Sequence, residues 1–517
     1  MNRQDPGAAP ESRAAWGRLI RNSNWNFAAF GIVVAANFLT VPFVVHRLGM
    51  AQFGLAGLIL AMLAPLMFIG TVLGQACVRE LAPMMAANDV VAARHMFSSA
   101  LVMCLVASLL VLLAFSLFGP VGLRNFIGVE SAATHDLFLV VFVATLGWVA
   151  QQMFLVVQST IVSAQHFQAL AIANVASAVA SAACVLAATW LLPSVLGFLL
   201  GTASGFLLTL LLTALQARRY AGQLFPLMPP RMADVRRILA FCRWQVPAQL
   251  SGAFALQADR YLLGSTATMA VVGQFNVATR LQEVVYMGVL KISEVLFPHF
   301  SAFPGNRDSH QVSVFMASSW IVNAIAAAAL APLIPLSAAL IALWVGASAA
   351  EVGAPMLRTL VTAGILGSGI NVFSYFAMGK GYTKRLGVMS LAHAATVVVS
   401  STVLILGWGA LAAGMGFVVA NVLRLVWATC VTPDIIGSRM RVSDVAQSTL
   451  LPLAAGLLVG WGFGAIAAGS WLSLLWNYAL LAAAVLLGSL VLSVCFPASR
   501  TLALSVASGL RGHFSQR

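Results

Sequence analysis

Apolar residues run along this chain in blocks of about 20, each closed by a short polar break. A helix rises about 1.5 Å per residue and the hydrocarbon core of a bilayer is about 30 Å thick, so each block can cross a membrane as a helix. The pattern predicts spans near 25–45, 52–76, 97–119, 137–162, 168–190, 194–216, 240–264, 271–298, 312–347, 354–377, 386–407, 409–432, 449–468 and 472–496. The ninth joins 312–331 to 333–347, which lie too close to be separate spans and read as one long helix kinked at Pro332 and Pro335. An open sheet cannot satisfy its backbone in lipid, and barrel strands are only about ten residues long. The predicted fold is therefore all-α: a polytopic membrane protein of about 14 transmembrane helices.

Composition agrees, with 61% hydrophobic and only 8% charged residues. A soluble domain carries about 25% charged residues. The formal charge of +14 invites a polyanionic partner, but its placement argues otherwise. With a cytoplasmic N-terminus, 20 of the 28 lysines and arginines fall on the inner side. Arg47, Arg124 and Arg358 fall outside, while Arg243, Arg260, Arg280, Lys291 and Arg424 lie in or at the edge of spans. This is the positive-inside pattern of an even number of spans with both ends cytoplasmic. Net charge reports orientation, and no nucleic-acid partner is expected. The 6 cysteines have no metal-ligand spacing, so neither a metal site nor a disulfide framework is expected. Trp25, Trp190, Trp244, Trp344, Trp408 and Trp471 fall near predicted helix ends, as interfacial anchors do.

The longest internal polar break is Ala217–Arg237, with five arginines and three prolines. It reads as a cytoplasmic linker with six spans before it and eight after. The halves echo each other weakly. His46-Arg47-Leu48-Gly49 with Phe53-Gly54 closes the first span, and Asp259-Arg260-Tyr261-Leu262-Leu263-Gly264 with Val272-Gly273 closes the seventh. Repeated halves are a common transporter plan.

The eighth predicted span carries Arg280, Glu283, Lys291 and Glu294. At 100° per residue these four fall within a sector of about 80°, a stripe about 21 Å long. Each charge facing mid-bilayer lipid costs about 2.5–3.5 kcal/mol, and four cost on the order of 10 kcal/mol. The stripe must face water or partners inside the protein. It is either the wall of a hydrated cavity or a self-neutralising network between packed helices; a third reading shifts its lower end into the cytosol. Arg280–Glu283 and Lys291–Glu294 are spaced to pair along the helix.

Asn37-Phe38-Leu39-Thr40-Val41-Pro42, then His46-Arg47-Leu48-Gly49 and Phe53-Gly54, resemble the start of polysaccharide-unit flippases of O-antigen type, in the multidrug/oligosaccharidyl-lipid/polysaccharide exporter superfamily. Arg79-Glu80-Leu81-Ala82 resembles their first cytoplasmic loop, and Pro247, Asp259, Leu263-Gly264, Val272-Gly273, Asn276 and Pro298 resemble their seventh and eighth helices. One departure is Phe275 where a tyrosine is usual. The resemblance implies two six-helix lobes around a cavity, with two appended helices. The division would be a cytoplasmic tail 1–24, an N-terminal lobe 25–216, a linker 217–238, a C-terminal lobe 239–432, helices 13 and 14 in 449–496, and a cytoplasmic tail 497–517.

The resemblance also implies alternating access in a bacterial plasma membrane. An undecaprenyl-diphosphate-linked oligosaccharide would pass from the inner to the outer leaflet for polysaccharide biosynthesis, as O-antigen, capsule or exopolysaccharide. Partners would be this lipid, the membrane itself, and pathway assembly proteins such as a polymerase. Arg280, Lys291, Arg260 and Arg47 are the candidate contacts for the diphosphate, because guanidinium and ammonium groups bind phosphate oxygens well. Glu283, Glu294 and Asp259 are the candidates for charge balance or ion coupling. A drug or cation exporter of the same superfamily would favour an acidic aromatic site instead. A lipid II flippase would carry more intramembrane arginines in its first half. An enzyme of the pathway would need catalytic acids in a sizeable outer loop. No Walker motif is present, and no cofactor is expected.

Overall fold

In a computed structural model, the described residues are 31–32, 34–36, 38–127, 134–294, 296, 300, 309–436 and 441–496. The predicted tails 1–24 and 497–517, the start of the first span, Asn37 and Pro298 lie outside them. The described residues are helical throughout, joined by short turns. They fall into two compact units, Met1–Leu250 and Ser251–Arg517.

In the first unit, α1 (Met50–Leu63) runs through a 3-10 turn (Ala64–Met67) into α2 (Phe68–Ala86). Then follow α3 (Val90–Ile127), α4 (Thr134–Ser163), α5 (Phe167–Leu191) and α6 (Val195–Tyr220). Helix α7 (Met232–Thr266) begins in this unit and ends in the second. The second unit continues with α8 (Met269–Glu294), α9 (Ser309–Leu330), α10 (Leu333–Trp344), α11 (Ala347–Ser368) and α12 (Asn371–Gly379). It closes with α13 (Thr383–Trp408), α14 (Met415–Ile436), α15 (Val442–Gly462) and α16 (Trp471–Val494). Among the described residues, 11 helices are long and apolar enough to cross a membrane by length and composition. Helices α7 and α8 are as long but carry more charge.

Two predicted spans differ in detail. The segment read as one kinked helix is two, α9 and α10, because the chain turns at Ala331–Pro332. The span 354–377 is interrupted at Gly369–Ile370 and continues as the short α12. Two placements are corrected. Arg358 lies within α11 rather than in an outer loop, and its Nε donates to Ser337 Oγ at 2.9 Å. Trp344 is packed inside, 6% exposed, because α10 is buried along most of its length; it is no interfacial anchor. Trp190, Trp408 and Trp471 are exposed at helix ends.

The polar break after α6 is not a loose tether. Ser98 Oγ accepts from the Met228 amide and Ser99 Oγ from the Arg231 amide, both at 3.0 Å, and Arg94 Nε donates to the Gln223 carbonyl at 2.8 Å. Leu224 is fully buried beneath it. Helix α3 meanwhile turns Leu109, Leu110, Leu113, Leu117 and Phe118 outward, an apolar face suited to acyl chains.

The turn at Pro65 breaks the hydrogen-bond ladder of the α1–α2 span. The Gly70 amide donates instead to Gln152 Oε1 of α4 at 2.8 Å, and Gln152 Nε2 meets the Met67 sulfur at 3.2 Å. Gln152 is fully buried. Replacing it with leucine strands the Gly70 amide, and we expect Gln152→Leu to lose about 1–3 kcal/mol, read as a lower thermal midpoint of the purified protein.

Candidate functional site

Helix α8 forms because its apolar residues repeat on one side. Val272, Phe275, Ala278, Leu281 and Val289 are buried, chiefly against α11. The opposite side is the charged stripe. Lys291 Nζ lies 2.9 Å from Glu294 Oε2, and Arg280 Nη1 lies 3.8 Å from Glu283 Oε2. The four side chains are 43–55% exposed, so the stripe is not sealed in a dry seam.

Helix α7 brings a third cation to the first pair. Arg260 Nη2 lies 3.9 Å from Glu283 Oε1, which sets that carboxylate between two guanidiniums. Arg260 itself is only 11% exposed and held on three sides. Its Nε donates to Asn276 Oδ1 at 2.8 Å, its Nη1 donates to Gln257 Oε1, and its guanidinium stands 6.0 Å from the centre of the Phe275 ring. A guanidinium fixed this way presents a preset fork to an anion.

Asp259 sits elsewhere. It is 1% exposed, and its Oδ2 accepts from the Gly414 amide at 2.6 Å. Gly414 has φ of +86°, a conformation glycine adopts without strain, in the turn that leads into α14. The carboxylate thus ties α7 to the α13–α14 turn.

The structure therefore brings together Arg260, Arg280 and Glu283. Lys291 and Glu294 form a separate pair on the same helix, about 16 Å further along by the helical rise. Arg47 belongs to the other unit, is exposed, and stands 5.8 Å from the Phe43 ring centre.

Sequence reading missed Gln257 and, as a partner of Arg260, Asn276. The spacing of three between Gln257 and Arg260 was a usable signal. It also missed a polar seam inside the second unit. Tyr286 on α8 donates to Asn371 Oδ1 at the start of α12. His393 Nε2 on α13 meets Asn421 Oδ1 on α14 at 3.0 Å, and Asn421 Nδ2 donates to the Ala363 carbonyl of α11 at 2.8 Å. Arg424, read from the sequence as lying in the twelfth span, is in α14 as expected. No local pattern joins residues spread over five helices.

The helices and the charges they carry make this a multi-pass membrane protein with an ionic face on one of its long helices. Residues 19–303 match the family described as "Polysaccharide biosynthesis protein", and the chain belongs to that family. Among solved structures, the chain is similar to a lipid II flippase in an inward closed conformation, with a TM-score of 0.70, 12% identity, and coverage of 92% of this chain and 98% of that one. It is also similar to an outward-facing multidrug-resistance transporter of the superfamily, at TM-score 0.54 and 16% identity, covering 83% of this chain and 96% of that one. A superfamily transporter from Pyrococcus furiosus, described as having a binding pocket of reverse polarity, gives 0.53 and 14%, with 82% and 95% covered. At these identities the likeness speaks for the fold alone. No curated protein sequence matches the chain.

Proposed function

We propose that this protein flips an undecaprenyl-diphosphate-linked oligosaccharide from the inner to the outer leaflet of a bacterial plasma membrane, with both termini cytoplasmic, by alternating access. The observation that carries the reading is a half-exposed ionic face on a helix of membrane-spanning length. Turned to acyl chains, that face would cost on the order of 10 kcal/mol, so it opens on water. An aqueous path lined by guanidinium and ammonium groups suits a diphosphate, which must shed its hydration to move through. In this reading Arg280 and Arg260 are the first phosphate contacts and Lys291 is a second contact along the path, while Arg47 is a separate candidate contact. Glu283 and Glu294 hold the cations between cycles, and Asp259 sets the pose of α7 or takes part in ion coupling.

A second reading takes lipid II as the cargo, since the chain shares its fold with a lipid II flippase. Both cargoes present the same diphosphate to the same cations. The likeness to multidrug transporters is weaker, and cations on the ionic face disfavour a cationic drug.

The test is complementation of a strain that lacks the transporter. We expect Arg280→Ala with Lys291→Ala to reduce surface glycan at least about tenfold, the loss of roughly one charge-assisted contact, with membrane levels of the protein unchanged. Undiminished glycan from the double variant removes the site. Rescue of peptidoglycan synthesis by the wild-type protein, without restored surface glycan, selects lipid II.

A further inference from the structure

Six arginines stand on and around the polar break between α6 and α7. Arg94 is on α3, Arg218 and Arg219 close α6, Arg231 closes the break, and Arg236 and Arg237 lie in the first turns of α7. The break that carries them is fastened down. Besides its bonds to Ser98, Ser99 and Arg94, the Pro229 carbonyl accepts from His95 Nδ1 at 2.8 Å, and the Phe225 ring stands edge-on to Phe97 with 5.9 Å between centres. Arg218 lies over that same Phe225, 5.7 Å from the ring centre, and Arg94 bonds the Gln223 carbonyl two residues earlier. Both guanidiniums are thus held on one short stretch of backbone. Arg231 is anchored by its amide to Ser99, about one turn of α3 beyond His95.

No carboxylate neutralises them. None of the four ion pairs among the described residues includes any of the six. The nearby acids are spent or withdrawn: Asp89 Oδ1 accepts from the Ala92 amide at the start of α3, and Asp234 is 8% exposed. Five of the arginines are exposed, and Arg94 commits only its Nε. Leu227, Met232 and Leu239, 48–66% exposed, stand in the same segment. Position selects the partner. Helix α6 is long and apolar enough to cross a membrane, and Arg218 and Arg219 occupy its last turn. Side chains there lie at the depth of lipid headgroups. Cations interleaved with apolar side chains suit a surface that has phosphates outside and acyl chains beneath.

We propose that Arg94, Arg218, Arg219, Arg231, Arg236 and Arg237 form a preset surface for the phosphate headgroups of anionic phospholipids in the adjoining leaflet. Guanidinium groups pair with phosphate oxygens in a fixed fork geometry. Because the break is already ordered against α3, a lipid bound there costs little further chain entropy, which a loose basic tether would have to lose. The bound lipid in turn stabilises the first unit, since it binds only the folded arrangement. The surface lies wholly within that unit, apart from the ionic stripe, and does not depend on the identity of the transported lipid.

The test is thermal unfolding of the whole protein in an uncharged detergent, titrated with phosphatidylglycerol, phosphatidylcholine or glycerol 3-phosphate. The wild-type midpoint is expected to rise saturably by several degrees with phosphatidylglycerol alone, and less at high salt, because exposed charges are screened. In Arg218→Gln with Arg231→Gln, the phosphatidylglycerol needed for half the rise is expected to increase roughly tenfold or more. Lys384→Gln with Arg385→Gln removes the same charge from exposed positions at the start of α13 in the second unit, and should respond as wild type does. Arg218→Lys with Arg231→Lys keeps the charge and should keep most of the rise. Equal responses to phosphatidylglycerol and phosphatidylcholine overturn the proposal. So does an equal loss in the control pair, which would make the effect one of net charge. A lysine pair as impaired as the glutamine pair overturns it by showing a packing defect, and a full response to glycerol 3-phosphate overturns it in favour of a free phosphate.

Discussion

Arg260→Glu is expected to abolish the export proposed above and to lower the stability of the protein by about 3–5 kcal/mol, because it loses two hydrogen bonds of a charged group worth about 1.5–3 kcal/mol each. The arginine is only 11% exposed, so little solvent screens what replaces it. The substitution removes the bonds to Asn276 and Gln257 and sets a second carboxylate beside Glu283, now 3.9 Å from the guanidinium. Adding Glu283→Gln removes the new repulsion, and the double variant should regain part of the loss. Thermal midpoints of Arg260→Met, Glu283→Gln and the pair together then measure the coupling, expected between about 0.5 and 3 kcal/mol for residues in contact. If Arg260→Glu exports glycan as the wild type does, Arg260 neither binds cargo nor organises the pair beside it.

Gly147→Val is expected to be as damaging in the first unit, for a different reason. A Cβ at Gly147 would stand 2.7 Å from Ala203 Cα and 2.8 Å from its Cβ. The neighbour is backbone, which cannot rotate away, so α4 and α6 must separate. In lipid, helices associate mainly through close packing of small residues, so the lost contact is not regained elsewhere. We expect a cost of about 3 kcal/mol, at the upper end for overpacking. Gly122→Ala in α3 is the control, because nothing lies within 4 Å of the Cβ it would carry. Purified protein should show a lower melting midpoint and a larger aggregated fraction for Gly147→Val alone. Equal behaviour of the two variants would show that the α4–α6 contact is looser than the structure has it.

Much of this molecule was readable before any coordinates. Block length and apolarity predicted 137–162 and 168–190 as spans, and the helices found are Thr134–Ser163 and Phe167–Leu191. The i,i+3 spacing predicted the Arg280–Glu283 and Lys291–Glu294 pairs, and both are present. Breaks inside spans were harder. Only the prolines marked the turn at Ala331–Pro332, and nothing in the hydropathy of 354–377 marked the interruption at Gly369. Arg358 was counted on the outer side, but Ser337 of α10 gives it a partner inside the protein.

The sequence by itself determined that this chain is a bundle of membrane helices with an ionic face on α8, because hydropathy and helical spacing are properties of neighbours along the chain. Only the tertiary structure decided that Arg260 joins Glu283, that Asp259 is spent on the Gly414 amide, and that Tyr286 meets Asn371 and His393 meets Asn421. Those partners lie from 23 to 155 positions apart. What brings them into reach is the way helix faces pack, and that is settled by fit between surfaces that no local pattern encodes.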